Sequence, residues 1–193
     1  HSHLLVNAAG PMAEQFLRDR LRSDEGPTAP VRALRLVKGS HIVVPRLFDH
    51  DHAYIFQSPD QRIIFALPYE DHFTLIGTTD VDVAPGEAAA PRISDAEIDY
   101  LCQQVSHYFR KPVHPTDVVW HFAGVRPLLD DESGQAAAVT RDYVLDLNAD
   151  GAPLMSVWGG KITTFRKLAE EAADRIGAQL GRRRHRAGAV GPR

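Results

Sequence analysis

Four side chains stand beside turns or strand ends that would hold them still. They are Arg126 within Gly124-Val125-Arg126-Pro127-Leu128, Arg141 ahead of Tyr143, Lys161 directly after Gly159-Gly160, and His41 within Lys38-Gly39-Ser40-His41. A guanidinium fork binds two oxygens of a phosphate or carboxylate at once, and each such charged hydrogen bond is worth ~1.5 to 3 kcal/mol net. A neutral imidazole adds a group that can accept a proton near pH 7. Taken singly, each arginine also fits an ordinary surface or ion-paired residue, and His41 fits a histidine bonded to sheet backbone. Their joint placement beside glycine turns is what points to an anion site.

Lys161 belongs to the stretch Trp158-Gly159-Gly160-Lys161-Ile162-Thr163-Thr164-Phe165-Arg166-Lys167. An apolar strand, Leu154 to Trp158, runs into two glycines that admit positive φ and the close approach of a ligand. A helix is expected directly after the lysine and the two threonines that follow, with Phe165, Leu168, Ala172, Ile176 and Leu180 repeating at three- or four-residue steps as its apolar stripe. The N–H groups that open a helix lack partners within it and carry partial positive charge; Lys161 adds a full charge, and Thr163 and Thr164 add hydroxyls. A plain glycine turn with threonine capping and a solvated lysine fits the same residues.

Other chemistries find less support. Neither a Walker loop nor a Gly-x-Gly-x-x-Gly fingerprint is present, so the usual means of holding a nucleotide pyrophosphate is missing. There is no Gly-x-Ser-x-Gly elbow, and the single cysteine, Cys102, falls on the apolar face of an expected helix. Asp49-His50-Asp51-His52 has ligand-type residues on alternate positions, but it sits between strands where a solvated loop is expected, and no metal site is assigned.

The elements that must position these groups change character along the chain. Leu4 to Ala9 reads as a strand, Pro11 as a helix start, and Met12, Phe16, Leu17 and Leu21 as a helical stripe, with Asp24 to Pro30 as a linker. From Leu34 to Pro45, Ala53 to Gln57, Arg62 to Pro68 and Phe73 to Gly77 the pattern predicts hairpin-connected antiparallel strands, with Ser58-Pro59-Asp60 as one tip. Gly77-Thr78-Thr79-Asp80 ends the last of them with three polar side chains, which can hold a ligand or simply close a turn. Ser94-Asp95-Ala96-Glu97 is a capping box opening a helix buried through Ile98, Leu101, Val105 and Phe109. Val118 to Phe122 and Tyr143 to Leu147 are further strands, the latter returning through Asn148-Ala149-Asp150-Gly151 into Leu154 to Trp158.

With 193 residues, 44% of them apolar and 24% charged, the chain is globular and holds one large or two small domains. The 22 basic and 25 acidic residues give no general grip on nucleic acid. No run reaches the ~18 apolar residues of a membrane-spanning helix, and a peripheral membrane contact is compatible with that. A lone cysteine fits a reducing compartment. The first residue is histidine, already close to a strand, which suggests a piece of a longer protein. From Gly181 onward the arginine-rich tail has no apolar face and reads as disordered.

Six stretches carry a resemblance: Leu5-Val6-Asn7-Ala8-Ala9-Gly10-Pro11; Leu36-Val37-Lys38-Gly39-Ser40-His41-Ile42-Val43-Val44-Pro45; Ile76-Gly77-Thr78-Thr79-Asp80; Gly124-Val125-Arg126-Pro127-Leu128; Thr140-Arg141-Asp142-Tyr143; and Gly159 to Glu170. In order and spacing they resemble the middle of bacterial aerobic, FAD-dependent glycerol-3-phosphate dehydrogenase, from about Leu4 to Leu180. The family's amino-terminal Gly-x-Gly-x-x-Gly unit and its carboxy-terminal helical domain have no counterpart here. The resemblance implies an α+β or α/β fold in which an antiparallel substrate-binding sheet is inserted in an incomplete, glutathione-reductase-like FAD-binding domain. Residues 4–32 and 133–180 would form the FAD-binding part, 33–132 the sheet, and 181–193 the basic tail.

It further implies oxidation of sn-glycerol 3-phosphate to dihydroxyacetone phosphate, with electrons passing through FAD to quinone at the cytoplasmic face of the inner membrane. By resemblance Arg126 and Arg141 take the substrate phosphate, and Lys161 lies near phosphate or flavin. His41 is the candidate base, Gly159, Gly160, Thr163 and Thr164 face the flavin, and Asn7, Ala9 and Gly10 line the cofactor cleft. The isolated chain is expected to be inactive and not to retain FAD. The rival reading is a non-catalytic module that binds phosphate or a polyol phosphate with the same cations.

Overall fold

The computed structural model describes residues 2–23, 26–27, 29, 31–129, 142–149 and 151–181 and divides into two compact units. The first is drawn from His1–Leu34, Pro127–Ser133 and Ala138–Arg193, the second from Arg35–Arg126.

In the first unit, strand β1 (Leu5–Asn7) lies parallel to β11 (Leu154–Gly159), which pairs antiparallel with β10 (Tyr143–Asn148). Asn7 pairs in register with Ser156, and Tyr143 with Gly159. Pro11 opens a single 3-10 turn, where its missing N–H is harmless, and α1 (Ala13–Arg20) follows. The helix buries Ala13 and Leu17 against Leu154 and Trp158, all almost completely removed from solvent. Where the composition reads as a linker, β2 (Arg22–Ser23) and β3 (Gly26–Pro27) form a small antiparallel ribbon. Helix α4 (Phe165–Gln179) departs from expectation: no residue in it is fully buried. Leu168, Ala172 and Ile176 are half-covered, while Phe165 is 64% exposed. The stripe read from its spacing is real, but within the described residues only its middle is packed.

The second unit is built on β4 (Leu34–Pro45), whose bounds coincide with the run read from the sequence. With β5 (Tyr54–Gln57), β6 (Ile63–Tyr69), β7 (Phe73–Gly77) and β8 (Val81–Asp82) it forms a sheet ordered β5-β6-β7-β4-β8, all antiparallel neighbours, and β9 (Trp120–Leu129) also pairs with β4. Ser58 to Gln61 makes the expected hairpin tip, with the Gln61 N–H donating to the Ser58 carbonyl at 2.9 Å. A short helix, α2 (Pro85–Ala88), leads to α3 (Asp95–Ser106), which covers one face of the sheet.

Period-two alternation gives β4 two distinct sides. Ile42 and Val44 join Ile64, Ala66 and Ile76 under Leu101, Cys102 and Val105 of α3. Fully burying each large member of this cluster contributes about 1.5 to 3 kcal/mol. On the opposite side the register runs Ile55, Phe65, Gly77, His41 across four strands, and it carries exposed Ile55 and Phe65. Among the described residues no helix is long and apolar enough to cross a membrane.

Candidate functional site

The uncovered side of the second unit gathers the candidate chemistry. Arg126 was expected at a turn closing a strand, yet β9 continues unbroken through it to Leu129. Among the described residues β9 pairs only with β4, and proline is tolerated in a strand with one such neighbour. Arg126 therefore projects from inside a strand. Its Nη1 donates to Asp80 Oδ1 at 2.6 Å and its Nη2 to Thr78 Oγ1 at 3.0 Å. It remains one-third exposed, and of its five N–H donors two are engaged among the described residues, which leaves donors for a ligand there.

Gly39 of β4 is what admits the guanidinium so close to the sheet. A Cβ at that position would overlap Arg126 Nη2 and stand 2.7 Å from Thr78 Oγ1. Gly77 does the same for the histidine, since a Cβ there would coincide with the His41 ring and come within 2.6 Å of Nε2. The imidazole stacks on Phe122 at 4.8 Å with an interplanar angle of 6°, and Phe122 leans on Trp120 at 5.3 Å. Burial, and then the positive charge of Arg126, hold the His41 pKa below its ordinary value, so the ring is neutral at pH 7. Its Nδ1 is buried with no hydrogen-bond partner among the described residues.

A buried carboxylate lies behind β4, opposite this site. Glu97 of α3 is 7% exposed and uses its two oxygens differently. Oε2 accepts from the Ser94 N–H and Oγ, both at 2.9 Å, and from Lys38 Nζ at 2.8 Å. Oε1 accepts from Ser40 Oγ and Thr79 Oγ1, both at 2.8 Å. Burial pushes this carboxyl up, but the hydrogen bonds from Lys38, Ser94, Ser40 and Thr79 together outweigh it and hold the pKa at about 2. Sequence reasoning found Glu97 only as a capping residue; the Ser-x-x-Glu spacing gives no sign of the second oxygen's partners.

The first unit holds the glycine turn. Gly159 and Gly160 adopt φ of 67° and 100°, and a Cβ on Gly159 would meet the Asp142 carbonyl at 2.6 Å. After them Ile162–Thr164 forms a 3-10 turn, and α4 begins at Phe165, directly after the two threonines as the sequence predicts. Thr164 Oγ1 accepts from the Lys161 N–H at 3.3 Å and donates to the Lys161 carbonyl at 3.1 Å. Lys161, Ile162 and Thr163 are exposed. The N–H groups of Ile162 and Thr163 occupy helix-opening positions, which lack intrahelical acceptors. A left-handed diglycine with N–H groups and a lysine beyond it fits the electron-rich edge of a flat cofactor. Asn7 is buried with both polar ends engaged locally, Nδ2 on the Ala13 carbonyl at 3.0 Å and Oδ1 on the Ala9 N–H at 3.3 Å, so it shapes the Ala9-Gly10 turn.

Of the cations expected to converge, the structure brings His41 and Arg126 together in the second unit. Lys161 belongs to the first unit, and Arg141 lies outside the described residues, as does the basic tail from Arg182. A cleft of about 620 Å³ in the first unit is lined by Arg32, Asp146 and Ser156. Its arginine is already closed on Asp146 at 2.6 and 3.0 Å, which makes it a poor anion site. In the Asp49–His52 loop the His50 ring contacts Tyr54 Oη at 2.8 Å and stacks on Phe48.

The profile of the FAD dependent oxidoreductase family matches residues 1–166, and the chain belongs to that family. It is 49% identical over 174 residues to glycerol-3-phosphate dehydrogenase of Pseudomonas aeruginosa, covering 89% of this chain and 33% of that protein. Aerobic glycerol-3-phosphate dehydrogenase of Escherichia coli matches at 47% over 175 residues, 89% of this chain and 34% of its length. D-erythritol 1-phosphate dehydrogenase of Brucella abortus matches at 46% over 173 residues, 89% of this chain and 33% of its length. The structure of glycerol-3-phosphate dehydrogenase from Bacillus halodurans complexed with FAD superposes with a TM-score of 0.69 at 32% identity, covering 91% of this chain and 32% of that one. Glycine oxidase from Bacillus cereus, at 13% identity and a TM-score of 0.53, shares the fold. The chain thus spans about a third of the length of the relatives it matches (33% and 34%).

Proposed function

We propose that this chain is the substrate-binding sheet and part of the FAD-binding domain of an enzyme that oxidises sn-glycerol 3-phosphate to dihydroxyacetone phosphate. The observation that carries the reading is Arg126, fixed by Asp80 and Thr78 and one-third exposed, on the same sheet face as a neutral histidine. The guanidinium takes the phosphate dianion. His41 accepts the hydroxyl proton through Nε2, since Nδ1 is buried. FAD, when bound, supplies the acceptor for the hydride that leaves the carbinol carbon. Gly159, Gly160, Lys161, Thr163 and Thr164, with the Asn7, Ala9 and Gly10 turn, are the residues proposed to hold it. Arg141 and Lys161 are proposed as the further cations for the substrate. Transfer of electrons to quinone, by peripheral contact at the cytoplasmic face of the inner membrane, completes the proposal.

A second substrate is favoured by one finding. The D-erythritol 1-phosphate dehydrogenase of Brucella abortus is 46% identical, against 47% and 49% for two glycerol-3-phosphate dehydrogenases, so a four-carbon polyol phosphate belongs in the same assay. The test joins this chain to the flanking segments its longer relatives carry and follows dye reduction with each polyol phosphate. His41→Gln is expected to lower kcat about 100-fold or more with little change in KM. Phosphate-dependent binding without dye reduction by either substrate would replace the enzyme with the non-catalytic module. The 193-residue chain alone is expected to purify colourless, and a flavin absorbance band would contradict that.

A further inference from the structure

We propose that Glu97, which faces away from the site, is the positioning residue that sets where Arg126 stands. The inference deepens the reading of Arg126 as the phosphate-binding cation and rests on it for its effect on ligand affinity. Thr78, Thr79 and Asp80 follow β7, and their side-chain contacts fall on opposite sides of it. Thr78 and Asp80 point forward and hold the two Nη groups of Arg126. Thr79 points backward, is 1% exposed, and is bound to Glu97 Oε1 at 2.8 Å.

The same Thr79 hydroxyl accepts the Ser40 N–H at 3.0 Å, and the Ser40 hydroxyl donates to the same Glu97 oxygen at 2.8 Å. Ser40 lies between Gly39, against which the guanidinium packs, and His41. One oxygen therefore grips, from behind, the middle residue of each pair that builds the front. Here Thr78 to Asp80 lies between the pairings His41 with Gly77 and Lys38 with Val81, so three residues oppose Gly39 and Ser40. Such a bulge is a known means of re-aiming side chains, and it needs something to fix the extra residue. Glu97 Oε1 supplies that fixing, while Oε2 serves the helix cap and Lys38.

The division between the two oxygens makes the role separable from plain stability. Ser94→Ala removes the hydroxyl partner of Oε2 and leaves the Ser94 N–H and the Oε1 contacts in place. Thr79→Val takes one hydroxyl from the Oε1 grip, Glu97→Gln exchanges one of the two oxygens for an NH2 and removes the charge behind the grip, and Thr79→Ser restores a hydroxyl to it. Two measurements on the 193-residue chain decide the matter: calorimetric affinity for sn-glycerol 3-phosphate, and the ¹⁵N–¹H signals of the Arg126 guanidinium without ligand. Nη1 and Nη2 give separate signals when both are held. Thr79→Val and Glu97→Gln are expected to merge those signals and weaken binding about tenfold, as loss of one well-aimed charged hydrogen bond would. Thr79→Ser and Ser94→Ala are expected to keep both properties near wild type, Ser94→Ala with a lowered Tm. If Glu97→Gln fails to fold, Thr79→Val carries the test.

Unchanged guanidinium signals in Thr79→Val would overturn the proposal, as would equal effects of Ser94→Ala and Thr79→Val on them. A wild-type chain that fails to bind glycerol 3-phosphate, while the guanidinium signals respond as stated, removes the substrate reading and leaves the positioning role standing.

Discussion

Gly39→Ala should disable Arg126 without altering any group that touches a ligand. The glycine lies in extended β4 and has no positive φ, so its backbone accepts alanine; by propensity alone, glycine within a strand is less favourable than alanine by about 0.5 to 1 kcal/mol. What the added methyl cannot share is space: it would overlap Arg126 Nη2 and stand 2.8 Å from Cζ. The guanidinium must swing off Thr78 and Asp80, and its exposed part turns with it. Losing one or two charged hydrogen bonds to a phosphate at ~1.5 to 3 kcal/mol each corresponds to at least about tenfold in affinity. Calorimetry with sn-glycerol 3-phosphate reads that loss, and thermal unfolding should show a Tm within a few degrees of wild type. A second readout needs no ligand. Burial, and then Arg126, lower the His41 pKa, so moving the arginine away lets that pKa rise toward 6.5, which NMR titration follows. Wild-type affinity together with an unchanged His41 titration would refute the packing of Arg126 on Gly39.

Two further outcomes follow from the buried groups. The Glu97 carboxyl is held at about 2 against an ordinary 4.5, so it contributes stability that is complete above about pH 4.5 and is lost as pH falls toward 2. The difference is worth about 3 kcal/mol, measured by urea unfolding across that window, and Glu97→Gln should flatten it; an equally steep acid transition in that variant would place its cause elsewhere. Burial, and then Asp99 and Asp117, push the Cys102 thiol up to about 11. At pH 8 only roughly a thousandth of it is thiolate, so a disulfide reagent should react slowly with the native chain and quickly in urea. Fast native reaction would show the α3 face to be open.

The sheet was legible because its signals are local. Alternating Ile, Val and Phe runs and the Ser58-Pro59-Asp60 tip give β4 to β7 nearly to the residue, and Ser94 with Glu97 marks the start of α3. Arg126 was read at a turn because Gly124 and Pro127 are both breakers, and only pairing with β4 shows that the strand passes through them. The full role of Glu97 was hidden for a different reason. Its partners lie 57 and 18 positions away, and no periodicity encodes which oxygen faces which strand. Helix α4 shows the converse: spacing reports a stripe, but not how much of it finds a cover, and Phe165 stays exposed.

The two-sidedness of β4 has a consequence for how this gene can change. Between Arg35 and His41 a single inserted or deleted codon would rotate every following side chain by half a turn, sending Ile42 and Val44 to solvent and the imidazole into the packed interior. Ligand recognition and foldability would fail together from one indel. At the Ser58–Gln61 and Glu70–His72 bends, by contrast, extra residues lengthen a solvent-facing connection and leave both sides of the ribbon in phase.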